Sequence, residues 1–253
     1  MNSRLQGMLV PVTAVTPAQG EAMFRLLEQY YENVTRAGFL ADLAEKQWVI
    51  VLSDPRTGEL CGFSTQMLMR VPVGGAFVRM LFSGDTIVAR EHWGDIALAR
   101  TWGRMALSLI DRHAAEELYW FLISKGYKTY RFLPLFFHEF FPRYDAPTPA
   151  WARRFIDAFG CHKYAHAYDP ATGVIRAGSQ KDRLRPGVAD LAAHRMKDPH
   201  VCYFVERNPG YICGEELCCL APLSRSNFTP AAYRVIGREP AGTMYSWSAG
   251  GSM

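Results

Sequence analysis

Two apolar stretches, Val78 to Asp95 and Leu118 to Tyr127, with a helix-patterned segment between them, constrain this chain more than any other feature. Together they read as strand, turn, helix, strand, turn. Leu118 to Ser124 is apolar throughout, as expected for a central strand covered on both faces. Asp95 to His113 carries Ile96, Leu98, Ala99, Trp102, Met105, Ala106, Leu109 and Ile110, an apolar face at helical spacing. The first strand ends in a turn whose amides sit at the start of that helix, where oriented N–H groups and the helix dipole favour a phosphate-bearing ligand.

The flanking segments extend this unit into a mixed α/β order. Met8 to Val15 reads as a short strand, Thr16-Pro17 introduces an amphipathic helix over Ala22 to Thr35, and a second helix covers Phe39 to Lys46. Trp48 to Ser53, the turn Asp54 to Gly58, and Leu60 to Arg70 form a hairpin, after which Pro72 to Gly75 turns the chain into the long fourth strand beginning at Phe77. Lys128 to Phe141 is helix-prone but interrupted by Pro134, and Asp145 to Pro149 is a linker that divides a core over 1–145 from an extension over 146–253. The extension reads as a helix (Trp151 to Phe159), a basic loop (Arg176 to Gly187), a helix (Val188 to Lys197), strands over Val201 to Glu206 and Glu215 to Leu220, and a last helix near Ala231. The tail from Thr243 to Met253 reads as frayed.

Composition narrows the function. The net charge of +4 comes from scattered Lys and Arg with no basic stripe, which argues against nucleic acid as the partner. Six cysteines without a CxxC pair fit a reduced, cytoplasmic setting, and no apolar run is long enough to span a bilayer. His162 and His166 beside Cys161 have metal-like spacing but no third ligand, so no metal is expected. No Gly-x-Ser-x-Gly elbow is present. The aromatic cluster Tyr130, Phe132, Phe136, Phe137, Phe140 and Phe141 serves either to fill a core or to line an acyl channel.

The element order, with a diphosphate-type turn after the fourth strand, resembles the GCN5-related N-acetyltransferase (GNAT) superfamily over Met8 to Phe141. In that family the turn carries Arg/Gln-x-x-Gly-x-Gly/Ala; here the stretch is Trp93-Gly-Asp-Ile-Ala-Leu98, with Trp93, Ile96 and Leu98 in place of the motif residues. The resemblance implies an α/β fold in which a mixed central sheet with a splayed strand pair is flanked by helices, plus a C-terminal α/β extension. It implies an N-acyltransferase using acyl-CoA, with the pyrophosphate on the amides of Gly94, Asp95, Ile96, Ala97 and Leu98 and with Arg90 and Trp93 at the approach. Pantetheine would bond to main chain near Ile87 and Val88, and the acyl group would point to Ser83, Gly84 and Asp85.

Amine acylation needs a neutral amine, and a carboxylate can remove the ammonium proton. Asp85 is the candidate base, although Ser-Gly-Asp-Thr is equally good turn chemistry. Tyr127 or Tyr130 would protonate the departing thiolate, and Ser124 and Lys125 close the fifth strand, where Lys125 could reach a ligand phosphate or stay in solvent. The basic loop could dock an acidic partner or be solvated. The resemblance also leaves open a long acyl chain, a donor on an acyl-carrier protein, and an acceptor that is a small molecule, amino acid or peptide. The alternative is a non-catalytic module that binds coenzyme A or scaffolds other proteins.

Overall fold

In a computed structural model that describes residues 4–178, 180–188, 190–191 and 193–237, the chain enters its main sheet through β1 (Gln6–Pro11) and continues into helix α1 (Pro17–Glu28). The tail from Thr243 to Met253 lies outside the described residues. Helix α1 starts earlier than the apolar run suggests because Thr16 and Gln19 form a reciprocal capping box with Pro17 in the first turn. It stops at Glu28, before a short strand β2 (Tyr31–Glu32), and Thr35 opens the next helix, α2 (Arg36–Glu45), by accepting from the Gly38 amide. The continuous helix expected over Ala22 to Thr35 therefore ends at Glu28, its remaining residues forming β2 and the Thr35 cap of α2.

The hairpin of β3 (Trp48–Ser53) and β4 (Leu60–Val73) closes over the Asp54 to Gly58 turn, where Gly58 takes φ +73° and donates to the Asp54 carbonyl at 2.8 Å. Strand β5 (Ala76–Val88) follows and is the long strand expected from Phe77. Helix α3 (Ala97–Arg112) returns the chain so that β6 (Leu118–Ser124) lies parallel to β5, the one parallel pair of the main sheet among the described residues. Beyond it come the short helices α4 (Tyr127–Tyr130) and α5 (Phe132–Phe136), then α6 (Ala150–Tyr164), the two-residue strands β7 (Tyr168–Asp169), β8 (Val174–Ile175) and β9 (Arg183–Leu184), helix α7 (Pro199–Arg207), strand β10 (Glu216–Pro222) and helix α8 (Pro230–Ile236).

The expected strand over Val201 to Glu206 is helix α7. Asp198 accepts from the His200 amide as its cap, Pro199 occupies the first turn, and Val201 and Phe204 bury one helical face, so capping and a three-residue apolar spacing prevail over β-branched composition. The described part of the expected 188–197 helix contains only a 3-10 turn over Ala193–Lys197.

The main sheet runs β1-β3-β4-β5-β6-β10-β8-β7. Strand β10 pairs antiparallel with β6, so residues on both sides of the 145–149 linker share one sheet. Alternation along β6 feeds both layers: Leu118, Trp120 and Leu122 pack with α3 and α8, whereas Tyr119 and Phe121 pack with α6. Helices α1 and α2 cover Val49, Val51, Phe63 and Ile87 near the other end of the sheet. The result is the expected mixed sheet flanked by helices.

Two irregularities open the sheet. Between the pairs Ser64↔Thr86 and Gln66↔Ser83, the single residue Thr65 faces both Gly84 and Asp85, so β5 carries a bulge there. Parallel pairing of β5 with β6 ends at Ser83↔Leu122; past that point β5 stays with β4 as far as Val88, while Ile123 and Ser124 stay with β10. The two strands part, leaving a wedge at their C-terminal ends.

Candidate active site

The wedge is the floor of a cleft of about 1120 Å³ walled by α2, the β5 end, α4, α5 and the segment 180–188. That segment crosses the opening as a strap. Its strand β9 pairs with β2, the Arg185 amide donates to the Tyr30 carbonyl at 2.8 Å, Arg183 pairs with Glu32 at 2.8 Å, and Asn33 Nδ2 donates to the Lys181 carbonyl. The basic loop thus spends its charge within the molecule, because Arg176 is likewise held by Asp169 and Glu215.

Asp85 stands at the bulge and faces the cleft. It makes neither a hydrogen bond nor an ion pair with another described residue. Burial pushes its carboxyl up to about 6, and Asp42 adds to the effect against the pull of Lys125. The other acids here are neutralised. Asp42 holds the buried Lys46 at 2.6 Å, Asp182 bonds to Lys125, and Glu216, which is buried, lies 3.0 Å from Lys181 and 3.6 Å from Lys125. Burial pulls the Lys125 ammonium down, but Glu216 and Asp182 outweigh it and hold it above its ordinary value; burial likewise opposes ionisation of Asp182, yet the two lysines keep that carboxyl low. Tyr31 and Tyr164 line the same space, and burial drives both hydroxyls well above the ordinary tyrosine range.

Several expected site residues take other roles. Tyr130 is fully buried and donates to the Pro142 carbonyl at 2.9 Å, so it fills core and does not face the cleft, whereas Tyr127 lines it. Ser83 accepts from the indoles of Trp102 and Trp120 and donates to Gln66, which makes it part of a buried network under the sheet. Ser124 is also fully buried, its hydroxyl taken by the Gly126 carbonyl at 2.8 Å. Lys125 is sequestered among carboxylates and is neither solvated nor free for a phosphate.

At Val88 the ladder alternates. Ala89 donates to the Cys61 carbonyl on β4, so the Val88 carbonyl faces the other way, and the Trp93 indole takes it at 2.9 Å. Ile87 is buried against α1 and α2, and both residues still border the cleft. Gly94 adopts φ +95°, which favours glycine at this turn. The start of α3 differs from a free amide cradle: Asp95 Oδ1 accepts from the Ala97 amide at 2.7 Å, and its Oδ2 accepts from the Arg4 amide at 2.7 Å and from Leu5. A carboxylate of the chain itself therefore takes the Ala97 amide, one of those that Ile96, Ala97 and Leu98 were expected to offer to a diphosphate. Arg90 reaches the Gly187 carbonyl and lies over the Trp93 ring, with Lys128 on that ring 3.6 Å from its centre.

Tyr31, Asp42, Tyr164, Asp182 and Glu216 are cleft residues that the sequence reading misses; Asp182 lies in the basic loop and Glu216 at a strand end, with no local signal that they meet Lys125. Among the described residues no three His, Cys, Asp or Glu side chains gather as a metal site, and no helix is long and apolar enough to cross a membrane.

No family model and no curated protein matches the chain. Among solved structures it is similar to a protein of unknown function from Enterococcus faecalis V583 described as a probable N-acyltransferase, at 16% identity and a TM-score of 0.39, over 55% of this chain and 33% of that one. It is also similar to a GNAT family N-acetyltransferase of Escherichia coli in complex with CoA, at 15% identity and a TM-score of 0.36, over 49% and 65%. A third is a putative GNAT-family acetyltransferase of Bordetella pertussis, at 18% identity and a TM-score of 0.41, over 57% and 92%. The matched region is thus a third of the Enterococcus protein and just under two thirds of the Escherichia coli protein.

Proposed function

We infer that this protein is an N-acyltransferase that moves an acyl group from a thioester to an amine held near Asp85. The observation that carries this reading is the one cleft carboxylate without a partner among the described residues, set at the bulge where two parallel strands part and with its carboxyl pushed up to about 6. A base of that strength is ionised at neutral pH yet binds a proton well enough to take one from an ammonium. The thioester arm lies along the parted end of β5. Asp85 takes the ammonium proton, the freed amine nitrogen attacks the thioester carbonyl and the C–N bond forms, the C–S bond breaks, and the second nitrogen proton leaves to water. The thiolate takes its proton from Tyr127 or from water.

Apolar walls from Phe39, Phe82, Ile123 and Phe132 suit an acyl chain longer than acetyl. The second reading, a non-catalytic binding module, is favoured by Asp95 on the helix start and Trp93 on the Val88 carbonyl. Release of free thiol from a panel of acyl thioesters with candidate amines, followed together with product mass, separates the two. Turnover that disappears in Asp85→Asn supports transfer; binding of a donor without turnover supports the module.

A further inference from the structure

The start of α3 and the mouth of the cleft together say how the donor is presented, on the reading that the cleft transfers an acyl group. A coenzyme A donor brings a diphosphate and a ribose phosphate. The Asp95 carboxylate already accepts from the Ala97 amide, and a diphosphate placed at that helix start would meet a like charge that repels it. Cations gather instead at the mouth. Lys128 sits on the Trp93 ring with Arg90 on the same ring, and Arg195 is near enough that it and Arg90 both depress the Lys128 ammonium after burial has done so. Among the described residues the Arg90 and Lys128 side chains donate to the carbonyls of Gly187 and Val188 and pair with no acid, which leaves their charge in place. Arg195 has no acid within ion-pair distance among the described residues; Asp190 acts on Lys128, and Asp198, whose amide donates to the Arg195 carbonyl, is paired with Arg131.

Large apolar side chains stand exposed here: Trp93 under Arg90 and Lys128, Leu135 on the cleft lining with Arg195, and Met196 next to Arg195 in the chain are 41%, 49% and 44% exposed. A basic rim studded with apolar side chains is complementary to an acidic amphipathic helix, and a prosthetic arm with one phosphodiester needs no diphosphate cradle. We propose that the mouth of the cleft is the docking surface of an acidic carrier protein, which presents the acyl thioester on a phosphopantetheine arm, and that Asp95 disfavours the coenzyme A form.

The experiment compares one acyl group on three donors: an acidic acyl-carrier protein, coenzyme A and pantetheine. Product is measured by mass spectrometry with a fixed amine that the protein accepts. The carrier donor is expected to give a kcat/KM at least about tenfold above coenzyme A, and the charge reversal Arg195→Glu to lower the carrier value at least about tenfold more than the pantetheine value. Asp95→Asn keeps an acceptor for the Ala97 amide and should lower KM for the coenzyme A donor severalfold. Equal use of carrier and coenzyme A donors, or equal loss on carrier and pantetheine donors in Arg195→Glu, overturns the docking surface while leaving acyl transfer intact. An unchanged coenzyme A KM in Asp95→Asn overturns the charge argument. No product from any donor with any amine overturns the acyltransferase reading and this proposal with it.

Discussion

Asp85 is where residue chemistry decides most. Its proton is held more tightly in the folded chain than in the unfolded one, so the stabilisation tied to the neutral form is present below the ordinary carboxylate value and is lost as pH rises through about 6. Ionised Asp85 then costs the fold about 1–3 kcal/mol at neutral pH. Asp85→Asn should raise the melting temperature by several degrees at pH 8 and much less at pH 4; equal gains at both would contradict the buried-charge account. The same variant should lower turnover about a hundredfold or more, and the wild-type kcat/KM should climb with pH through an inflection near 6. The tyrosines separate by location. Tyr127→Phe is expected to slow turnover with little change in stability, whereas Tyr130→Phe removes a buried bond to Pro142 and should cost about 1 kcal/mol in urea melts while sparing turnover. The local string Ser-Gly-Asp-Thr makes Asp85 legible, but Tyr127 and Tyr130 lie in one short segment whose helix phase only packing resolves.

At the scale of elements, the wedge depends on β5 staying fastened to β4 after leaving β6. Gly62 sits opposite Val88, and a Cβ there would stand 2.8 Å from the Ile87 carbonyl and 3.2 Å from the Val88 Cα, both backbone atoms that cannot swing aside. Gly62→Ala should destabilise the fold by about 1–3 kcal/mol and displace the parted end of β5. Backbone amide shifts confined to regions away from residues 84–89 would count against that. Strand, helix and hairpin over 48–124 are legible because apolar periodicity changes cleanly from two to three or four residues there. The α1 boundary and α7 are not, because caps at Thr16, Thr35 and Asp198 act through single hydrogen bonds that hydrophobic pattern does not encode.

For the whole molecule, the extension after residue 145 returns to the core sheet through β10 and throws the 180–188 strap over the cleft. The ionic group of Lys125, Asp182, Glu216 and Lys181, of which Glu216 is buried, joins strap, β6 and β10. Asp182 is held below the usual carboxylate range, so its share of stability is present above the ordinary value and is lost as pH falls through the lowered one. Lys125→Met leaves Asp182 and Glu216 to share Lys181 alone and should cost about 1–3 kcal/mol at pH 7, with the gap to wild type shrinking near pH 3, as urea titrations at the two pH values would show. A cost that does not change with pH would mean the cluster acts by packing alone. By itself, the sequence determined the strand-helix-strand unit, its hairpins and the position of Asp85, because periodicity and turn chemistry are local. Only the tertiary structure decided that the Arg4 amide joins Asp95 at the start of α3, that Lys125 is neutralised and that Tyr130 is core, because those partners come from residues 4, 182, 216 and 142, brought together by long-range packing.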